Sequence, residues 1–148
     1  LGSAPKNQLA DPSLASRLLG IGAPALLTNN IDGPTVPRDG TLLGALFESL
    51  ATLSVRTFAD AAEARTGHLR TATGRQEIDL ITERSDGCVV AFEVKLARTI
   101  NDHDVRHLNW LGERIGERLL DKVILTTGPT AYRRADDVAV VPLALLGA

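Results

Sequence analysis

The chain has 148 residues and a formal net charge of −2, with acidic and basic residues interspersed along it. That balance counts against strong autonomous nucleic-acid binding, which needs a basic patch to release counterions, so any such contact must come from a local cluster or a partner domain. A single cysteine, Cys88, leaves no material for an intrachain disulfide or a cysteine-rich zinc site and reads as a small strand residue. A domain of this length buries about 68–70% of its unfolded surface. With three Phe, one Tyr, one Trp and no Met, the core must be aliphatic.

The chain opens Leu1-Gly2-Ser3-Ala4-Pro5 without a start Met, as a fragment of a longer protein would. No signal-peptide pattern and no continuous apolar run near the roughly 18 residues of a bilayer span is evident, so a cytoplasmic, membrane-free domain is expected. Asp11-Pro12 offers an N-cap followed by proline at the first helical position, and Gly20 a stop, which predicts a short helix over 12–19. Gly20-Ile21-Gly22-Ala23-Pro24-Ala25 imitates a dinucleotide-binding fingerprint, but it follows a helix and contains proline, so it reads as a cap and turn. Thr28 to Gly40 is rich in turn residues without periodicity, and a linker is expected there, the segment most prone to disorder. Residues 1–40 thus form a lead-in, and 41–148 the domain proper.

Residues 41–64 read as one long helix with apolar residues on two sides, Leu43, Leu46, Leu50 and Leu53 against Gly44, Ala45, Ala51 and Val55, so it is expected to be largely buried. Three strands follow, 67–72, 75–82 and 88–96, with loops short enough for two hairpins. Asp102 to Arg118 fits a second helix, 122–127 a strand, 138–141 another, and Leu143–Leu146 a last apolar turn. The fold class is α/β, a mixed sheet flanked by helices in the order α-β-β-β-α-β.

The chemistry concentrates in Glu77-Ile78-Asp79-Leu80-Ile81 and Phe92-Glu93-Val94-Lys95. Strand alternation points Glu93 and Lys95 the same way and Phe92 and Val94 into the core, with Asp79 able to join from a neighbouring strand. Two carboxylates and an ammonium at strand ends can hold Mg²⁺ or Mn²⁺ by oxygen ligands and aim a water at a phosphodiester. Glu48 is the third acid. Its helical neighbours Thr41, Gly44, Ala45, Ala51, Thr52 and Val55 include no basic residue, so it needs a cation, a donor or water. A metal shared with Asp79 and Glu93 would serve, and so would Arg70 or Arg75. Lys95 stands out in a chain with 13 Arg and three Lys, because a compact ammonium suits the orienting of a water.

His103 and His107 have the i, i+4 spacing of shared metal ligands, although two further ligands for zinc are not evident. With Arg106, Trp110 and Arg114 they form a polar face opposite Val105 and Leu108. That face is either solvated surface or a contact for nucleic acid or protein. Arg70 and Arg75 could touch a phosphate or neutralise Glu77 and Glu83 across the sheet. No P-loop pattern occurs.

Glu48 on a helix, Asp79, then Glu93-Val94-Lys95 after a hairpin resembles the active-site signature of the PD-(D/E)XK nuclease superfamily, with Ile78 where a proline usually precedes the aspartate. Leu9-Ala10-Asp11-Pro12-Ser13-Leu14-Ala15, Leu43-Gly44-Ala45-Leu46-Phe47-Glu48, Glu77 to Ile81 and Glu93-Val94-Lys95 resemble, more closely, the C-terminal domain of unknown function of prokaryotic AAA+ ATPases. The resemblance implies that Asp79 and Glu93 bind the divalent metal, Glu48 assists, and Lys95 positions the attacking water. It implies an ATPase region of the same protein as partner; DNA is the expected substrate of the nuclease reading, and an oligomer is left open. The other expectation is a docking or regulatory domain in which the same four residues form an ion cluster without turnover.

Overall fold

The carboxylate of Asp11 accepts from the amides of Ser13 at 2.9 Å and Leu14 at 3.2 Å, and Pro12 follows at the first helical position, so helix α1 spans Pro12–Leu18. Gly20 takes a φ of +66°, which only glycine adopts without strain. A short helix that the sequence reading missed, α2 at Ala23–Leu27, comes next. Of the Gly20–Ala25 motif, Gly20–Gly22 therefore join two helices and Ala23–Ala25 open the second. The computed structural model describes residues 8–27 and 42–147, and the linker expected over Thr28–Gly40 falls outside them.

Helix α3, Leu42–Ala61, is buried over part of its surface. Leu46, Ala51, Val55 and Ala59 face the protein, while Leu50 and Leu53 are 45% and 41% exposed. The expected burial on both sides is thus met only in part: Leu46 of the leucine side and Ala51 and Val55 of the other are buried, while Leu50, Leu53 and Ala45 are exposed. By length and composition α3 could cross a membrane, with a mean hydropathy of 1.3, although no continuous apolar run marks it in the sequence; a third of it is buried here.

Strands β1 (Arg65–Arg70), β2 (Glu77–Glu83) and β3 (Val89–Val94) form two antiparallel hairpins. Their turns carry Gly74 and Gly87 at φ +68° and +80°, positions that L side chains avoid. The chain then crosses over through α4, Asp102–Ile115, to β4, Leu119–Thr126, which lies parallel to β3. Strand β6, Val138–Pro142, adds in parallel to β4, and a two-residue strand missed from sequence, β5 at Tyr132–Arg133, closes the edge. The six-stranded order is β1-β2-β3-β4-β6-β5.

Each face of this mixed sheet has its own apolar cluster. Ala51 and Val55 of α3 pack on Leu80, Phe92, Val123 and Leu125. Val105, Leu108 and Leu111 of α4 pack on Ile78, Ala91, Ile124 and Val138. The alternation Val123-Ile124-Leu125 feeds both in turn, as a strand buried on two faces must.

Helix α4 begins with a capping box. The Asn101 side chain accepts from the amides of His103 at 2.9 Å and Asp104 at 3.3 Å, and Asp104 accepts from the Asn101 amide at 3.0 Å. Asn101→Ala should lower the unfolding free energy in urea by about 1 kcal/mol. At the far edge Arg133 donates to both oxygens of Asp121 at 2.9 and 3.0 Å. These hydrogen bonds hold the Asp121 carboxyl below the usual carboxylate range. A depressed folded pKa stabilises the protein above the unfolded value of about 4, and that contribution fades as pH falls through the folded pKa. Arg133→Gln should therefore lower the melting temperature at pH 7 and have no effect near pH 2. The effect should be small, because solvent screens a partly exposed pair.

Candidate active site at the fork of β2 and β3

Gly67 and Leu69 of β1 are two residues apart, yet their partners Ile81 and Ile78 on β2 are three apart. Asp79 and Leu80 thus oppose the single residue His68, which is a β-bulge. Its consequence is one of facing. Ile78 and Ile81 both belong to the α4 side, Leu80 to the α3 side, and the extra residue, Asp79, turns toward α3. There it lines a cleft of about 460 Å³ between α3 and the β1–β2 hairpin, with Gln8, Thr52, Arg56, Thr66 and His68.

Pairing of β2 with β3 runs from Glu83↔Val89 to Leu80↔Phe92 and ends there. Beyond that point the Asp79 carboxylate accepts the Val94 amide at 3.0 Å, so a side chain stands where a strand carbonyl would. Glu93, nominally opposite Asp79, points to the α4 side and is 4% exposed. Lys95 Nζ lies 3.6 Å from one of its oxygens and His107 Nδ1 3.9 Å from the other. The Lys95 backbone is anchored by its amide, which donates to Leu125 O at 2.9 Å and extends the β3–β4 pairing. Glu93 and Lys95 do share a face, with Phe92 and Val94 on the other.

The sequence profile of the family described as Domain of unknown function (DUF4143) matches residues 43–146, from the start of α3 through the last strand. The chain belongs to the DUF4143 family. No curated protein and no solved structure matches it.

Within this DUF4143 domain Glu48 projects from α3 and accepts from Gln8 Nε2 at 3.0 Å, while Ser49 Oγ donates to Gln8 Oε1 at 2.9 Å. The segment before α1 is thereby tied to the helix. The arginine partner considered for Glu48 goes elsewhere: Arg70 Nε lies 3.7 Å from Glu77, and Arg75 is exposed in the turn after β1. Helix α4 also departs from expectation. His107 is half-buried, donating from Nδ1 to Glu77 O at 2.7 Å, and its Nε2 accepts from Arg106 Nε at 2.9 Å. Arg106 also bonds His103, so a guanidinium stands between the two imidazoles that had the spacing of metal ligands. Trp110 packs against the α4-side cluster, with Arg114 6.0 Å from its ring centre. The face read as open surface is therefore partly closed, because a helix lying across a sheet buries residues flanking its apolar stripe.

A fully protein-caged cation does not fit: among the described residues no three His, Cys, Asp or Glu side chains converge. Mg²⁺ fits better in kind. It is commonly held by one or two carboxylates and completed by water and substrate phosphate, and Asp79 and Glu93 are the carboxylates on either side of the fork, although the bulge turns Asp79 to the α3 face, so it does not join Glu93 and Lys95 on one face as expected. The cleft residues Arg56 and His68 were missed. Thr52 and Arg56 continue the stripe of Glu48 at i+4 and i+8, so one more helical turn would have revealed Arg56. His68 needed the bulge, which nothing in the sequence announces.

The Asp79–Val94 bond allows a structural role to be separated from chemistry. Asp79→Ala strands the Val94 amide, and should lower stability by about 1–3 kcal/mol. Asp79→Asn keeps an acceptor, and should lose less than half as much. Urea titration of both variants, with amide exchange at Val94, checks this.

Proposed function

We propose that this DUF4143 domain is a PD-(D/E)XK-like, Mg²⁺- or Mn²⁺-dependent nuclease module acting on DNA, carried as the C-terminal domain of an AAA+ ATPase. The observation that carries the reading is the bulge at Asp79. It turns Asp79 out of the strand alternation into the cleft at the end of the β2–β3 pairing, with Glu93 and Lys95 on the other face of the neighbouring strand, so that the acids flank the strand end from both sides. Bulges recur beside active sites because they re-aim a side chain. The order α3-β1-β2-β3-α4-β4 agrees with the core that the resemblance implies.

In this mechanism Asp79 and Glu93 would hold the cation, and the Val94 carbonyl would be a further oxygen ligand. Glu48 assists from α3, where Gln8 fixes its carboxylate. A divalent cation supplies two things here, a lowered pKa for bound water and neutralisation of charge building on the phosphate. Lys95, held on Glu93 and on the β3–β4 ladder, orients the water. Arg70, Arg75, His103, Arg106, His107, Trp110 and Arg114 would reach DNA or the ATPase region from the flanks. A cytoplasmic setting and an oligomer belong to the same proposal.

One observation favours a second reading, a docking or regulatory domain of the ATPase. Glu93 is buried between Lys95 and His107, an arrangement that can persist as an ion cluster without a cation.

Calorimetric titration of Mn²⁺ decides between them. The nuclease reading expects saturable binding that Asp79→Ala and Glu93→Ala each weaken at least about tenfold, a loss of about 1.4 kcal/mol. Metal-dependent cleavage of DNA that Lys95→Ala abolishes would follow. An intact, folded domain that takes up no Mn²⁺ overturns the nuclease reading in favour of the docking domain.

A further inference from the structure

We infer that Arg56 and His68 form a backbone-phosphate subsite for a nucleic-acid strand, in the cleft between α3 and the β1–β2 hairpin beside Asp79. The inference rests on the nuclease reading and adds to it the residues that would grip the substrate. Arg56 stands two helical turns beyond Glu48, on the stripe that carries Thr52 over the cleft. His68 is the single residue opposite the bulge. Its neighbour Leu69 packs on the α4 side, so alternation sends the imidazole to the α3 side, toward Arg56.

Both side chains are exposed, and neither has an ion pair or hydrogen bond to another described residue. Arg56 shares this with Arg17, Arg65, Arg75, Arg98 and Arg118, whereas Arg70, Arg84, Arg133 and Arg134 are ion-paired; what sets Arg56 apart is its place in the cleft beside Asp79. A guanidinium offers a fork of donors that matches phosphate oxygens, and an imidazole adds another N–H. The Thr52 and Thr66 side chains line the same cleft as further hydroxyl donors. At about 460 Å³ the cleft falls within the range of about 300–1,000 Å³ usual for small-ligand sites, room for a single strand's phosphate and sugar. Asp79 borders the same space, so a phosphate held by Arg56 and His68 would lie next to the acid assigned to the cation. This also reconciles the net charge of −2 with a nucleic-acid substrate, because the basic contribution is local.

The test measures binding apart from turnover. In the 148-residue chain carrying Asp79→Asn, with EDTA present, anisotropy of a labelled single-stranded oligonucleotide is followed in low salt. Arg56→Gln and His68→Asn should each weaken binding about fivefold to tenfold. Arg56→Gln should also make the log–log salt dependence shallower by about 0.7, one phosphate contact on a single strand. Arg84→Gln, at the opposite end of β2, should leave binding unchanged. Equal loss in all three variants, or no oligonucleotide binding by the folded parent, overturns the subsite. Binding of inorganic phosphate by calorimetry without binding of the oligonucleotide overturns the nucleic-acid assignment. Because Mn²⁺ binding by the unsubstituted chain is scored separately, failure of the subsite and failure of the metal site can be told apart.

Discussion

The hydrogen bond from the Val94 amide to the Asp79 carboxylate is the contact on which the candidate site depends. Strands β2 and β3 pair as far as Leu80↔Phe92, and past that point the backbones need another way to satisfy their polar groups. An unsatisfied buried amide is destabilising by about 1–3 kcal/mol, so the acid that closes the ladder has a structural duty besides any chemical one. The bulge opposite His68 makes that geometry available. Without the extra residue, Asp79 would follow strict alternation with Leu80 and lie on the α4 side.

This placement divides the polar residues between the two faces of the sheet. On the α3 side are Asp79, Glu48 with Gln8, and the cleft residues Arg56 and His68. On the α4 side Glu93 sits with Lys95 and His107. The end of the β2–β3 pairing lies between the two sets, and Glu93 is crowded there by Lys95 and His107. The same crowding of Glu93 by two nitrogen groups is what sustains the docking-domain reading.

The two apolar clusters hold this arrangement in register. Helix α3 approaches through Ala51, Val55 and Ala59, which bring its backbone close and set Thr52 over the cleft. Helix α4 is fixed at its start by the Asn101 capping box and along its side by Asn109. The Asn109 side chain accepts from Lys122 Nζ at 2.8 Å and donates to Asp136 at 3.1 Å. Beyond β3, Thr127 N donates to Ala97 O at 3.2 Å, and Gly128 lies so close that a Cβ there would stand 3.2 Å from Arg98 O. The chain that leaves Lys95 is therefore held against β4.

Local patterns carried much of this into the sequence. Asp11-Pro12, the glycine turns and the run of β-formers around Asp79 and Glu93 determined the helix start, the two hairpins and the common facing of Glu93 and Lys95, because capping, positive φ and strand alternation act over a few residues. Short elements such as α2 and β5 escaped, since five and two residues are too few for a period to register. Helical periodicity overstated the burial of α3 because composition alone cannot say how much of each apolar side finds a partner, and here Leu46, Ala51 and Val55 did while Leu50 and Leu53 did not. What only the tertiary structure decided was non-local: the one-residue mismatch of β1 against β2, the Asp79–Val94 bond, the pairing of Gln8 with Glu48, and the seating of His107 beside Glu93. Each depends on where two separate segments stop matching or come to rest, a property of the pairing that neither segment encodes alone.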